Sequence, residues 1–174
     1  MLIYHPTFDV NHCLFRILAI LESCNESTIS LELLKIIDFY VLFPSLIKKI
    51  KPFPRELTVY RKHVFSISSE YERVGNLKRI MFQLEAIQSI ALNNLAAKGF
   101  VDLESYNNKV VCRTALELPR TLKEKIKNSS LVKEEWFLML VGDFTKIEMN
   151  GPRGLKLRTG LMEYRYDVVR SKNE

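Results

Sequence analysis

Apolar residues recur with helical periodicity in three segments of the first hundred positions. The first segment predicts a helix over residues 11–24. The second predicts a helix over residues 30–43, which ends there because Pro44 disfavours a helical conformation in the residue before it. The third segment, residues 77–98, carries the longest apolar stripe, and Gly99 follows it where a left-handed cap is wanted. The chain is therefore predicted to begin with three helices.

After Gly99 the pattern changes from helical to alternating. Residues 101–104 alternate apolar and acidic positions, and residues 109–114 return with apolar positions on one face. Between them, Asn107 and Asn108 tolerate the positive φ of a tight hairpin. Helices followed by such a hairpin are the outline of a winged-helix domain, a unit best known for reading DNA. We therefore predict a mainly α (α+β) fold that contains a winged-helix domain with a two-stranded wing.

A basic segment separates the second predicted helix from the third. Residues 48–62 hold six Lys or Arg against one Glu, together with Pro52 and Pro54. Because each proline removes a backbone donor, the segment is predicted to be a loop or an extended arm, and we call it the basic arm. Phe53 and Tyr60 are interleaved with its cations, and they either bind a partner or return to the core.

The last third of the chain is predicted to be helical at first and irregular at its end. One or two helices should cover residues 120–147, and the WFLMLV segment at 136–141 is apolar on nearly every side, so it is buried in this chain or in a partner. Around Thr159-Gly160 the pattern favours a short β tail, or a tail that orders on a partner. We predict two domains: residues 1–118 form the winged-helix domain with its basic arm, and residues 119–174 form a C-terminal helical extension and tail.

Composition sets limits on the class of protein. The chain has 174 residues, of which 47% are hydrophobic, enough for a core at this size. A net charge of +6 mildly favours an acidic partner, or belongs to a soluble domain that happens to be basic. Three cysteines are too few and too scattered for a disulfide framework or a zinc site. Since no secretory signal and no run of about 20 apolar residues is present, we expect a cytoplasmic protein without membrane contact.

The third predicted helix lacks the charges of a DNA reader. Affinity for DNA comes mostly from Lys and Arg on phosphates, yet no Lys or Arg lies between Arg79 and Lys98. The positions predicted to lie off its core stripe are Gln83, Glu85, Gln88, Ser89, Asn93 and Asn94. Further apolar residues widen its apolar face, so we predict that it contacts protein rather than a DNA groove. The candidates for an interface with a partner are Phe82, Ile90, Trp136, Phe137 and Met139.

The basic arm is the best candidate for contact with DNA. Its cations are Lys48, Lys49, Lys51, Arg55, Arg61 and Lys62. If all six met phosphates, the logarithm of affinity would fall with the logarithm of salt concentration with a slope of about −5. The alternative is a solvated loop that binds nothing. Cations near the C-terminus could extend the patch, namely Lys156, Arg158, Arg165 and Arg170.

A search for catalytic chemistry finds one weak cluster. His5, Asp9, His12 and Cys13 could supply a nucleophile and its base, or ligands for a metal. Neighbouring residues on a helix diverge by about 100°, however, so a buried cysteine beside an N-terminal turn explains them more simply. No phosphate-binding or hydrolase motif is present. We therefore predict a non-enzyme with no catalytic residues, cofactor, metal or small-molecule substrate.

Three segments resemble a known family. HPTFDVNHCLFRIL at 5–18, LLKIIDFYVLFP at 33–44 and LAAKGFVDLE at 95–104 resemble the middle components of bacterial ABC-three-component systems, the group that includes Lamassu antiphage defence. The resemblance offers no catalytic residues. It implies fold-determining roles, with Asp9 and Asn11 as caps and with the other matched residues, His5, Pro6, Phe39, Tyr40 and Pro44, as parts of the fold.

The resemblance also implies partners. Such systems pair an ABC ATPase of the structural-maintenance-of-chromosomes (SMC) type with an effector, often a nuclease. The middle subunit would bridge the ATPase heads and the effector and restrain the effector until DNA is sensed, with non-specific duplex DNA reached through the complex. The alternative function is a stand-alone winged-helix transcription regulator, which would require specific binding to its own promoter.

Overall fold

The computed structural model describes residues 9–68 and 75–162, which fold as a mainly helical protein with one small sheet. His5, Pro6 and the part of the predicted β tail after Met162 lie outside the described residues. The α-helices are α1 Val10–Ser23, α2 Leu31–Leu42, α3 Arg61–Ser66, α4 Leu77–Ala97, α5 Leu103–Asn107, α6 Arg120–Asn128, α7 Glu135–Val141 and α8 Leu155–Thr159. The strands are β1 Thr28–Ser30 and β2 Val110–Cys112, and 3₁₀ turns cover Pro44–Lys49, Arg55–Tyr60, Leu131–Lys133 and Asp143–Lys146.

Helices α1, α2 and α4 confirm the three predicted helices and form the centre of the fold. Each begins at a side-chain cap that satisfies a free backbone N–H. Asp9 accepts from the His12 N–H at 2.9 Å, Ser30 caps α2, and Asn76 caps α4. Gly99 has a φ of 75°, the left-handed conformation expected after the last turn of α4. The predicted capping role of Asn11 is wrong, since Asn11 lies inside the first turn of α1.

The predicted two-stranded wing forms only at its base, where the Asp102 N–H donates to the Cys112 carbonyl at 3.0 Å and the Thr114 N–H donates to the Phe100 carbonyl at 3.2 Å. Strand β2 pairs with β1, with Thr28 opposite Cys112, while residues 101–104 supply only one bridge, from Val101 to Arg113. The side chain of Asp102 accepts from the Ser105 N–H at 2.8 Å and caps α5, so a helical turn replaces the expected first strand. The positive φ falls on Lys109 rather than on the two asparagines before it.

The basic arm is folded onto the core rather than extended. Ile50 and Leu57 of the arm are fully buried, as are the neighbouring Leu46, Ile47 and Val64, whereas Val59 is exposed. Two 3₁₀ turns, separated by the prolines, bring the buried residues to the inside and leave the cations outside. The Tyr60 hydroxyl donates to Asp143 Oδ2 at 2.9 Å, which ties the arm to the segment after α7. The prediction of a loop or extended arm is therefore wrong.

The C-terminal part contributes to the same core. Phe144 lies 6.1 Å from Tyr40 of α2, ring centroid to ring centroid, in an edge-to-face arrangement. Buried apolar residues from Cys13 to Leu161 form one cluster. The predicted strand before Gly160 is wrong, because that segment is α8, closed by Gly160 at a φ of 61°. Division into domains at residue 118 stays a prediction. None of the helices in the described ranges is long and apolar enough to cross a membrane.

Candidate partner and nucleic-acid surfaces

Helix α4 presents an apolar stripe to solvent. Phe82 is 76% exposed and Ile90 is 48% exposed, and Ala86 lies exposed between them at four-residue spacing. We call these three residues the α4 stripe. Lys78 and Arg79 lie one turn before Phe82 and line the same cleft, and α4 carries no Lys or Arg beyond Arg79. An exposed apolar surface of this kind is typical of a protein-binding site.

Phe82 also borders a cleft at the N-terminal end of α4. The cleft has a volume of about 830 Å³, and Met81, Leu161 and Met162 contribute apolar side chains to its lining. On its rim, Lys156 and Glu32 form an ion pair at 2.8 Å. A partner that covers the stripe can therefore place a side chain in a recess next to Phe82 that has both apolar and charged walls.

The remaining interface candidates lie mostly inside this chain. Phe137 and Met139 are fully buried, because α7 packs against α1, α2 and α3. Trp136 is half-buried and lies edge-on to Phe137, with 6.3 Å between ring centroids. Of the five candidates, Phe82, Ile90 and part of Trp136 are accessible to a partner.

A buried polar cluster holds α4 against α1 and α2. Arg16 donates to both carboxylate oxygens of Asp38, from Nε at 2.7 Å and from Nη2 at 3.2 Å. The side-chain amide of Gln88 donates to Asp38 Oδ2 at 2.8 Å and to the Lys35 carbonyl at 3.1 Å. Gln88 is therefore in the core, and its predicted position off the core stripe is wrong. All three side chains are buried, so the cluster joins the helices and offers no open catalytic site.

The sequence carries a signal for this cluster. Arg16 and Asp38 are single charged residues of opposite sign inside long apolar runs, which a folded chain tolerates when the two charges pair. Gln88 lies one helical repeat from Leu84 and Leu92, both of which are fully buried. The polarity of Gln88 predicts exposure, whereas its spacing from the two leucines predicts burial, and the spacing gives the right result.

Cys13 is not placed to act as a nucleophile. It is fully buried, and its thiol lies 3.9 Å from Asp38 Oδ2, while His12 is exposed and Asp9 is used as a helix cap. Burial, followed by the nearby charge of Asp38, raises the pKa of the Cys13 thiol to about 12. A nucleophilic cysteine needs a lowered pKa, so this environment acts in the opposite direction.

Cys13 is expected to resist thiol reagents in the folded protein. At pH 8 a thiol with a raised pKa of about 12 is ionised in roughly one molecule in ten thousand, and burial blocks access as well. Cys24 and Cys112 are half-buried and provide internal references. Mass spectrometry of peptides after labelling should show Cys13 modified only once the chain is unfolded. Labelling of Cys13 in the folded protein as fast as Cys112 would contradict this environment.

The cations of the basic arm form one part of a larger positive surface. Lys49, Lys51, Arg55, Arg61 and Lys62 are exposed, whereas the Lys48 ammonium donates to the Ile67 carbonyl and is half-buried. The surface continues onto the C-terminal segment. Arg158 donates to the Pro52 carbonyl and, through Nε, to the Arg153 carbonyl, and the Lys51 N–H donates to the Arg158 carbonyl at 3.1 Å.

An exposed aromatic ring accompanies these cations. Phe65 is 48% exposed, and the Arg61 guanidinium lies over its ring, 5.4 Å from the centroid. Phe53 meets Phe65 edge-on at 6.3 Å, whereas Tyr60 is held by Asp143. Phe65 was missed because it lies beyond the arm, although its four-residue spacing from Arg61 is the signal that pairs the two on one helix face.

The comparisons identify the family. Within residues 9–68 and 75–162, no group of three or more His, Cys, Asp or Glu residues is arranged to hold a metal ion. No curated protein matches the chain. No solved structure matches it either. The family model for ABC-three component (ABC-3C) system Middle Component 5 matches residues 2–167. Since that match covers nearly the whole chain, the protein belongs to the Middle Component 5 family of ABC-three-component systems.

Proposed function

We propose that this protein is a non-catalytic adaptor in a Lamassu-type antiphage defence complex. It bridges the heads of an SMC-like ABC ATPase to a nuclease-type effector encoded beside it, and it restrains the effector until DNA is sensed. The family match supports membership of a three-component system. The α4 stripe is the observation that supports an adaptor, because a solvated helix gains nothing from exposing Phe82 and Ile90.

The basic arm supplies the second contact in this proposal. Its outward cations suit phosphates of DNA held near the ATPase, while the buried apolar residues of the arm keep those cations on a fixed surface. The helix order α1, α2, α4 with the β1–β2 sheet also supports a winged-helix-derived domain. Two contact surfaces on one rigid core are what a bridging subunit requires.

Co-expression with the neighbouring genes tests the proposal. With an affinity tag on this protein, we expect the ATPase and the effector to co-purify in fixed ratio. Omission of this protein should separate the other two and leave the effector unrestrained, which a nuclease assay of the purified effector would detect. Failure of this protein to associate with either neighbour would remove the adaptor function.

A transcription regulator is the alternative, and the exposed cations of the arm are what favours it. A gel-shift titration against the promoter of its own operon distinguishes the two functions. A regulator must prefer that promoter over random duplex, whereas we expect no preference, because α4 carries no Lys or Arg beyond Arg79 with which to anchor itself in a groove.

A further inference from the structure

We propose that the surface around Phe65 binds a single-stranded polynucleotide, with a base stacked on the Arg61–Phe65 pair and phosphates on the cations beside it. The stacking surface consists of Phe53, Arg61 and Phe65, and the phosphate surface consists of Lys51, Arg55, Lys62, Arg153 and Arg158. This inference rests on the DNA contact of the basic arm proposed above. It does not depend on the bridging of ATPase and effector.

The aromatic group is the first argument. Phe65 follows Val64 on α3. Because Val64 is fully buried, it anchors the helix and holds the half-exposed ring of Phe65 at the surface. Phe53 supports its edge, and Arg61 covers one face. Both an aromatic ring and a guanidinium plane are stacking platforms for an unpaired base. Packing of this kind holds the platform in place before a ligand arrives, which reduces the entropic cost of binding.

The cations next to the platform are the second argument. Lys51 and Phe53 are separated only by Pro52, whose carbonyl accepts from Arg158, and the carbonyl of Arg153 accepts from Arg158 in turn. These contacts bring together two distant segments that carry Lys51, Arg153 and Arg158, next to Phe53 of the platform. Lys62 follows Arg61 directly on α3 and is exposed. A strand whose base stacks on Phe65 therefore has cations of α3 and of the Lys51 and Arg153 segments nearby for its phosphates.

The acidic residues around α3 are distributed in a way that agrees with this assignment. Glu134 and Glu135 line a cleft with His63 and Ser66, which lie on the flank of α3 away from Arg61 and Phe65. Glu56 is the acid within the basic arm itself and is exposed. The stacking flank thus combines an aromatic ring with a net excess of cations.

Stacking is the reason for preferring a single strand over a duplex. Bases inside a duplex are already stacked on each other, so their faces are closed to Phe65. The phosphates, in contrast, are present in both the duplex and the single strand and do not distinguish them. A purely electrostatic surface would bind a duplex at least as tightly, because its charge density is higher. Involvement of Phe65 is therefore the property that separates the two cases.

Fluorescence anisotropy with the full chain tests the inference. The probes are a labelled oligothymidine, an oligouridine and a duplex of equal length, titrated over a range of salt concentrations. We expect the single strands to bind more tightly than the duplex. Phe65→Ala should weaken single-strand binding by about tenfold, because it removes the ring on which a base stacks, and Phe65→Tyr should preserve it. Comparison of the two single strands tells whether DNA or RNA is preferred.

Matched variants separate stacking from charge and from folding. Val59→Ala removes another exposed apolar side chain, 77% exposed, on the arm, and it should leave affinity unchanged. The slope of the logarithm of single-strand affinity against the logarithm of salt concentration is negative. Combining Lys51→Gln with Arg153→Gln should make it less steep by about 1.4. Circular dichroism melting checks that each variant is folded.

Two outcomes would overturn the inference. One is unchanged single-strand affinity in the folded Phe65→Ala protein, and the other is a duplex bound as tightly as a single strand. Either result leaves the adaptor function intact if the ATPase and effector still co-purify with this protein. Loss of that co-purification with single-strand binding retained would instead remove the adaptor function alone.

Discussion

Replacing Phe82 and Ile90 together with glutamate is expected to abolish co-purification of this protein with its partner in the complex. Phe82 and Ile90 are the two large apolar residues of the α4 stripe, and a partner that covers them would lose both apolar contacts and would have to desolvate two carboxylates. Loss of one aromatic anchor alone typically costs about 2–4 kcal/mol, which corresponds to a loss of at least about thirtyfold in affinity. Affinity purification with quantitative mass spectrometry measures the effect.

The double variant should fold normally, since both side chains already face solvent. Val59→Glu is the matched control, because Val59 is 77% exposed but lies on a 3₁₀ turn that packs against α3 and α7 rather than on α4. We expect this control to retain both partners. If the Phe82 and Ile90 variant co-purified with the ATPase and effector as efficiently as the Val59 control, the α4 stripe would not be the docking surface.

The helices of the central core were predictable because their signal is local. The ends of α1, α2 and α4 lie within one residue of those expected from apolar periodicity and the positions of Pro44 and Gly99. The period of a helix is fixed by its backbone, so apolar residues repeated every three or four positions mark its buried face within one segment of sequence.

The failures arose where two local interpretations compete and a distant contact decides. Residues 101–104 alternate as a strand would, but Asp102 is equally a helix cap, and β2 finds β1 across the fold instead. The basic arm was predicted to be a loop or an extended arm because Pro52 and Pro54 remove backbone donors, yet its 3₁₀ turns bring Ile50 and Leu57 to the core. In both segments the outcome depends on tertiary packing, which overrides local preference.

The candidate surfaces were partly predictable for a similar reason. The absence of Lys and Arg on α4 and the six cations of the arm can be read directly from composition. The proximity of Arg158 to Pro52 cannot be read from composition, because the two residues are far apart in the chain and meet only in the folded structure. The burial of Gln88 also depends on which side of α4 meets Asp38.

Asp38→Ala is expected to destabilise the folded protein by about 3–5 kcal/mol, a large fraction of the stability of a domain. Asp38 is fully buried and is the acceptor for both Arg16 and Gln88. Its removal leaves the Arg16 guanidinium and the Gln88 side-chain NH₂ buried without that acceptor, and the side-chain oxygen of Gln88, Oε1, already lacks a hydrogen-bond donor. Urea denaturation followed by circular dichroism measures the loss, and Glu124→Ala, which breaks the exposed pair with Arg120, should change little.

A double replacement distinguishes the cost of an unpaired charge from the contribution of the pair itself. Arg16→Met combined with Asp38→Leu removes both charges and keeps the volume, so it should recover most of the stability that Asp38→Ala loses. Gln88 would keep its bond to the Lys35 carbonyl and continue to fix α4 against α2. Because α4 also carries Phe82 and Ile90, the recovered protein should bind its partner again. A double variant as unstable as Asp38→Ala would show that the ion pair contributes net stability beyond the cost of breaking it.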